Sequence, residues 1–157
     1  MHKRILVIPD SFKDSISSNE FCNIAKNAIQ KIDDTSVVDC IPVGDGGEGS
    51  LESFKLIKDC TFKTMLVNSP INELVKAKYC INKKEKTGII ELAQASGIQL
   101  VPKEFRNPIK TTSYGTGELI TKAISDGMEK IILFIGGSAT NDVGIGMLDA
   151  LGFFFND

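Results

Sequence analysis

The sequence predicts an α/β protein built on a parallel sheet. Between residues 4 and 58, short apolar segments alternate with amphipathic ones, which is the order of strands joined by crossover helices. A similar alternation follows at residues 114–151. Between the two, residues 61–92 hold three short apolar segments separated by turn residues, without a helical pattern. This middle part is expected to be antiparallel and favours a second, more β-rich lobe.

The N-terminal elements follow from local signals. Residues 4–9 form a short apolar run that Pro9 ends, which predicts a buried strand. Ser17 and Glu20 have the spacing of a capping box, and apolar residues then recur at helical spacing as far as Ile32. The next predicted elements are a strand at 37–43, a loop at 44–49 (the acidic loop) and a helix at 50–58.

The later elements are three strands, a helix, a strand and a helix. Tyr114 begins the first of these helices, and Gly127 is expected to cap its end. Phe153, Phe154 and Phe155 would expose a large apolar surface unless something covers them, so we expect the chain to continue beyond residue 157. A terminal strand docked on the sheet is the alternative. The predicted strands are 61–67, 74–81, 87–92 and 130–135, the last helix is 142–151, and residues 136–138 form a turn (the glycine turn).

Composition excludes several classes of function. The net charge of −2 and the pI of about 5.5 give no basic excess for nucleic acid or an anionic membrane. No apolar run approaches the length of a spanning helix, and the run after Arg4 is too short for a signal peptide. We therefore expect a cytoplasmic protein with no nucleic-acid or membrane partner. A homodimer is left open.

The cysteines and the histidine exclude further chemistry. Cys22, Cys40, Cys60 and Cys80 contain no close pair, so idle thiols are favoured over a structural zinc site. His2 is the only histidine, and its terminal position argues against histidine-based acid–base catalysis.

Four segments place small, acidic or hydroxyl residues at predicted strand ends or helix starts, where open parallel sheets bind ligands. After the first strand, Asp10 and Lys13 could position a hydroxyl and a phosphate. In the acidic loop, Asp45 and Glu48 stand among glycines and suit Mg²⁺ or polyol hydroxyls. The four segments are 9–13, 45–49, 111–118 and 136–142.

The other two segments resemble anion cradles. Ser113 and Thr116 lie at a predicted helix start, where backbone N–H groups favour anions. Gly136 and Gly137 precede a similar helix start, and their segment carries Ser138, Thr140, Asn141 and Asp142. Each segment alone also fits a surface turn or simple helix capping, but their joint occurrence favours a site.

A dinucleotide site is the competing interpretation. The acidic loop satisfies G-x-G-x-x-G between a predicted strand and helix. Asp45 and Glu48, however, put two negative charges where a pyrophosphate would bind, and no ribose-binding acid follows near Asn68. A nucleotide-binding oxidoreductase is therefore disfavoured.

Five stretches together resemble the bacterial type I glycerate kinase family. They are PDSFK at 9–13, PVGDGGEG at 42–49, IELAQASG at 90–97, RNPIKTTSYGTGELI at 106–120 and GGSATNDVGIGMLDALG at 136–152. The last stretch departs from the usual pattern, because Val143 and Ile145 interrupt a region that is normally richer in glycine and alanine.

The resemblance implies two unequal α/β lobes, one of them flavodoxin-like and three-layered, and ATP-dependent phosphorylation of D-glycerate, usually at the 2-hydroxyl. Residues 1–60 and 108–157 would belong to the flavodoxin-like lobe, and residues 61–107 to the β-rich lobe. A catalytically incomplete fragment or split-gene piece of such a kinase is the alternative.

We assign roles to the residues of these motifs, with ATP and Mg²⁺ as cofactors and glycerate as the substrate. The catalytic candidates are Asp10, Lys13 and Asp45; the substrate-binding candidates are Ser11, Gly46, Gly47, Glu48 and Ser113; the ATP- or phosphate-binding candidates are Thr116, Gly136, Gly137, Ser138, Thr140 and Asn141; the metal candidates are Asp142 and Glu48.

Overall fold

A computed structural model describes residues 3–12, 15–56 and 59–155 of the chain. The chain divides into two compact units, Met1–Asp45 and Gly46–Asp157. Across these described ranges, no helix combines the length and apolar character needed to cross a bilayer. The chain is a mixed α/β protein with one parallel and one mixed sheet, which confirms the predicted fold class.

The first unit is a strand–helix–strand motif. Strands β1 and β2 pair in parallel, and helix α1 connects them. The predicted capping box is confirmed: the Glu20 N–H donates to the Ser17 hydroxyl at 3.2 Å, and the Ser17 N–H donates to the Glu20 carboxylate at 3.0 Å. Cys22 of α1 and Val38 of β2 are both buried. The bounds are β1 Arg4–Val7, α1 Ser18–Ile32 and β2 Val37–Cys40.

The second unit is a four-stranded mixed sheet of order β3-β4-β5-β6. The first two pairings are antiparallel and the last, β5 with β6, is parallel. The strands are β3 Cys60–Asn68, β4 Leu74–Asn82, β5 Thr87–Glu91 and β6 Lys130–Phe134; the α-helices are α2 Ala93–Ser96, α3 Tyr114–Ser125 and α4 Ile145–Ala150; the 3₁₀ helices are Ser50–Leu56, Ile98–Leu100 and Lys103–Phe105.

Apolar clusters form around the sheet. In one, Leu119 of α3 clusters with Tyr79 and Ile90. In another, Leu51 of the first 3₁₀ helix clusters with Cys80 and Ile89. Neighbouring strand residues therefore enter different clusters, as alternation along a strand requires. All five residues of β5 are buried, including the polar Thr87 and Glu91 at its two ends.

The division into units differs from the one expected from the sequence. Residues 61–107 and 108–157 were assigned to separate lobes, whereas β5 and β6 share one sheet within the second unit. The reason is a long-range parallel pairing, which places Glu91 opposite Phe134 and leaves no local signal. How the stretches divide between lobes in the complete protein stays a prediction.

Two helices differ from their predicted form. The segment expected as a helix at 50–58 is a 3₁₀ helix over Ser50–Leu56, and residues 57 and 58 lie outside the described ranges. The helix expected at 142–151 begins at Ile145, because Val143 and Gly144 have φ of +56° and +78°, which no α-helix accommodates. Helix α3 ends before Gly127, whose φ of +89° confirms the expected glycine at that end.

Candidate functional site

The carboxyl ends of β5 and β6 lie side by side at Glu91 and Phe134. This is the edge at which open parallel sheets bind their ligands. Two of the predicted segments, the acidic loop and the glycine turn, meet there, and the 90–97 stretch of the family resemblance joins them. The Gly136 N–H donates to the Gly46 carbonyl at 2.8 Å, which joins the glycine turn to the acidic loop. Gly97 bridges Ser138, which joins the end of the 90–97 segment to the same turn.

The acidic loop and the glycine turn contact each other through backbone atoms of Gly46, Gly47 and Gly136. A Cβ on Gly136 would lie 2.7 Å from the Gly47 Cα and 2.8 Å from the Gly46 carbonyl oxygen, a separation that real Cβ atoms do not adopt. Gly137 has a φ of +75°, and a Cβ there would lie 3.9 Å from the Glu48 nitrogen. The glycines therefore allow the turn to approach the loop closely, and Glu48 stands beside the turn with an exposed side chain.

A fully buried glutamate, which sequence reasoning did not identify as a site residue, holds the other end of this loop. The Glu91 carboxylate is 0% exposed and accepts the Gly49 N–H at 3.0 Å and the Leu51 N–H at 2.8 Å. The Gln94 side chain donates to it at 3.3 Å. The only sequence signal is a lone charge inside an otherwise apolar run at residues 89–93.

These bonds bear on the dinucleotide interpretation. In that motif the N–H groups at the start of the following helix hold a pyrophosphate. Here the N–H groups of Gly49 and Leu51 are directed at the Glu91 carboxylate, and the following helix is a short 3₁₀ helix. The arrangement disfavours a pyrophosphate at the acidic loop.

The segment from Ser138 to Asn141, at the end of the glycine turn, is held by hydrogen bonds from hydroxyl and backbone groups of the chain. The Ser138 hydroxyl accepts the Thr140 N–H at 3.2 Å, and the Thr140 hydroxyl donates to the Thr111 carbonyl at 2.7 Å. The Asn141 N–H donates to the Pro108 carbonyl at 2.8 Å. Ser138 and Asn141 are exposed, so these two of the predicted phosphate-binding residues present side chains to solvent.

Asp142 ties this segment to the start of α3. Its carboxylate accepts the Ser113 N–H at 2.8 Å and the Ser113 hydroxyl at 2.7 Å, and also the N–H groups of Gly144 and Gly146 at 3.0 and 3.2 Å. Burial would raise the pKa of the Asp142 carboxyl, but these four hydrogen bonds outweigh it and hold the pKa below its ordinary value. Asp142 is thus an ionised carboxylate engaged by the protein itself.

The start of α3 is not an open anion cradle in this structure. Ser113 is 3% exposed, and its N–H and hydroxyl are both committed to Asp142. Thr116 is 0% exposed, and its hydroxyl is paired with that of Ser96 at 2.8 Å. Substrate or phosphate contacts by Ser113 and Thr116 would require these internal bonds to be exchanged, so their assigned roles stay predictions.

The candidates in the first unit follow β1 and β2. Asp10 is exposed, and its carboxylate accepts the Ser11 N–H at 2.7 Å. The Val43 N–H donates to the Pro9 carbonyl at 3.1 Å, which holds together the segments that follow the two strands. Asp45, also exposed, is the last residue of this unit. Lys13 lies outside the described residues, and its catalytic assignment stays a prediction.

The two metal candidates differ in their surroundings. Asp142 does not fit a metal ligand here, because four protein donors already occupy its carboxylate. Glu48 is exposed beside the glycine turn, and its carboxylate fits the coordination of Mg²⁺, which usually takes one or two carboxylates and otherwise phosphate oxygens and water. Within the described part of the chain, no group of three or more His, Cys, Asp or Glu side chains is placed to hold a metal.

The fold and the site together define the class of protein to which the chain belongs. This is an α/β protein that gathers a glycine turn and an acidic glycine-rich loop at the carboxyl ends of adjacent parallel strands, as small-ligand-binding members of that class do. The chain belongs to the glycerate kinase family, whose model matches residues 5–157.

Individual relatives agree with this membership. The chain is 42% identical to a glycerate kinase of Halalkalibacterium halodurans over 94% of its length, and 43% identical to the glycerate 2-kinase of Escherichia coli over 95%. It resembles the crystal structure of a "putative glycerate kinase 2" from Salmonella typhimurium LT2, with a TM-score of 0.75 and 39% identity over 96% of the chain. These matches cover 39% of each curated relative and 40% of the solved chain, so the chain spans about two fifths of their length.

Proposed function

We propose that the complete protein transfers the γ-phosphoryl group of ATP to D-glycerate, with the 2-hydroxyl as acceptor. In this reaction the hydroxyl oxygen bonds to the γ-phosphorus, the bond from that phosphorus to the ADP oxygen breaks, and the hydroxyl proton passes to a carboxylate. The observation that carries the proposal is the contact between Gly136 and Gly47, which brings together the acidic loop and the glycine turn in a member of this family.

The substrate side of the reaction is assigned to acidic and basic residues. Asp45 or Asp10 would orient the glycerate hydroxyl and accept its proton, and Ser11 would contact the substrate. Lys13 would offset negative charge on the transferred group or on the glycerate carboxylate. Phosphoryl transfer depends mainly on positioning and charge neutralisation, which is what one carboxylate and one ammonium group can supply.

The nucleotide side is assigned to the glycine turn. Gly137 is exposed and has a left-handed φ, so its backbone can approach a phosphate without a Cβ in between. Exposed Ser138 and Asn141 add polar groups beside it. Glu48 is our choice for the contact with Mg²⁺, which when bound to the phosphates would neutralise part of their charge. We place the activity in the cytoplasm, where four free thiols suit a reducing compartment.

The test is an assay of ADP formation by the complete protein with ATP and Mg²⁺, with and without D-glycerate. The proposal predicts ADP formation that depends on glycerate and saturates with it. L-glycerate and lactate are the matched controls, because they change the configuration or remove the 3-hydroxyl.

Two outcomes would contradict the proposal. A folded protein that forms no glycerate-dependent ADP is not this kinase. Oxidation of NADH with hydroxypyruvate would instead support the oxidoreductase interpretation.

A further inference from the structure

We propose that Glu91 is a positioning residue, whose buried carboxylate holds the acidic loop so that Glu48 stays beside the glycine turn. Glu91 ends β5 and is 0% exposed. It is therefore a poor candidate for direct contact with substrate, and its influence on a ligand would pass through the backbone that it binds. The inference rests on the proposed function only for its effect on turnover.

The loop is held on two sides. On one side the Gly136 N–H donates to the Gly46 carbonyl at 2.8 Å. On the other, Glu91 accepts the N–H groups of Gly49 and Leu51 at 3.0 and 2.8 Å. Glu48 lies between these two attachments. Losing the second attachment would leave Gly49, which has a φ of +89° and open space around its Cβ position, free to change conformation.

The chemistry of this position requires a carboxylate. Two backbone N–H donors converge on Glu91, one on each oxygen, and Gln94 adds a third donor. Among the described residues, no lysine or arginine forms an ion pair with Glu91, so backbone dipoles and an amide stabilise its buried carboxylate. A glutamine has the same shape but only one acceptor oxygen, and its NH₂ group would face an N–H donor.

The position of Glu91 also differs from that of Asp126, a carboxylate with a structural role. Asp126 accepts hydrogen bonds from Lys63, Lys122 and Tyr79. It caps the C-terminal end of α3, whereas Ser113 lies at the N-terminal end of that helix. Asp126→Asn is thus a matched control: it also removes a hydrogen-bonded carboxylate and weakens the fold, but it leaves the backbone of the acidic loop untouched.

The experiment compares the complete wild-type protein with Glu91→Gln and Asp126→Asn by amide hydrogen exchange and steady-state kinetics. In the wild type, the Gly49 and Leu51 amides should be protected about as well as core strand amides. Glu91→Gln should speed exchange at Gly49 and Leu51 by about 10-fold or more, and should lower kcat/KM for glycerate by about 10- to 100-fold through the displaced loop. Asp126→Asn should leave both quantities near the wild-type values.

Each result has a defined meaning. Unprotected Gly49 and Leu51 amides in the wild type would overturn the proposal even if Glu91→Gln fails to fold. Unchanged exchange in a folded Glu91→Gln variant would also overturn it, and so would faster exchange with wild-type kcat/KM. If the wild-type protein has no glycerate-dependent activity, the proposed function fails, whereas the exchange data still decide whether Glu91 holds the loop.

Discussion

The hydroxyl of Tyr79 donates to Asp126 at 2.7 Å from a side chain that is only 1% exposed. Lys63 and Lys122 donate to the same carboxylate, each at 2.8 Å. Strands β3 and β4 are thereby joined to the end of α3 through one polar centre within the second unit. Burial, followed by the bond to Asp126, raises the pKa of Tyr79 well above its ordinary value, so the phenol stays a donor.

Removing this acceptor should destabilise the protein. Asp126→Ala leaves the Tyr79 hydroxyl buried without a partner and is expected to lower the free energy of unfolding by about 1–3 kcal/mol. Tyr79→Phe removes the donor and should cost less, about 1 kcal/mol. Denaturant unfolding of the complete protein measures both.

A matched control is available at the surface. Glu129 pairs with Lys86, and both side chains are largely exposed, so Glu129→Ala should change the free energy of unfolding by less than about 0.5 kcal/mol. An Asp126→Ala effect as small as that of Glu129→Ala would show that the polar centre contributes little.

Acid should weaken the fold through Asp126 and Asp142. The bonds from Lys122, Lys63 and Tyr79 lower the pKa of Asp126, and hydrogen bonds that outweigh burial lower that of Asp142. A carboxyl whose pKa is lower in the folded state contributes stability above its unfolded pKa, about 3.9, and loses it as the pH falls through the folded value.

The expected result is a constant free energy of unfolding near neutral pH and a decline that begins below about pH 5, where the unfolded chain starts to bind protons. Replacing Asp126 by Asn should flatten that decline, because one of the carboxyl groups whose pKa is lowered in the folded state is gone. Urea titrations at pH values from 3 to 7 measure the slope. Equal slopes for wild type and variant would rule out a contribution from Asp126.

A methyl group on Gly136 should disturb the site. Gly136→Ala would place its Cβ 2.7 Å from the Gly47 Cα, so the glycine turn and the acidic loop must separate. We expect a loss of at least about 10-fold in kcat/KM for glycerate, since small misplacements of positioned groups lower rates strongly. Steady-state kinetics of the folded variant provide the measurement.

Gly127→Ala is the comparison for this variant. Gly127 has a φ of +89° but nothing within 4 Å of its Cβ position, and it follows α3 at the end remote from Ser113. Its substitution should cost about 1–2 kcal/mol of backbone strain and leave kcat/KM unchanged. Equal kinetic losses in the two variants would point to general destabilisation rather than to the contact between the loops.

Local signals in the sequence were sufficient for several elements. The Ser17–Glu20 capping box correctly placed the start of α1, and Gly127 correctly marked the end of α3, because both act within one helical turn. The three antiparallel strands were also recognised, since turn residues separate them. In each case the interactions that decide the structure are close in sequence.

Long-range pairing explains what the sequence did not reveal. Glu91 pairs with Phe134 and binds Gly49, contacts that span more than 40 residues, so neither the shared sheet nor the role of Glu91 had a local signature. Likewise, the sequence did not reveal that Asp142 and Ser96 engage the polar groups of Ser113 and Thr116, whose ligand-binding roles stay predictions. Composition cannot distinguish a hydroxyl that binds a ligand from one that binds the protein.

A substitution at Asp45 tests the catalytic role of the acidic loop most sharply. Asp45→Asn preserves size and removes the charge, so we expect kcat to fall by at least about 100-fold, as for a positioned acid–base group, with little change in unfolding free energy. Asp34→Asn, the same substitution at another exposed site of the first unit, should leave kcat unchanged. If the Asp45→Asn variant keeps the wild-type kcat, Asp45 has only a structural role in the turn.

The central claim, phosphoryl transfer to the 2-hydroxyl of glycerate, is tested most directly by the phosphorus-31 spectrum of the complete protein's product. With ATP, Mg²⁺ and D-glycerate we predict a new phosphate-ester resonance split into a doublet, because the carbon at the 2-position carries a single proton. A triplet would place the phosphate on the 3-hydroxyl, whose carbon carries two protons, and would contradict the regiochemistry. No new ester resonance, with the folded protein present and ATP left intact or converted only to ADP and inorganic phosphate, would contradict the kinase itself.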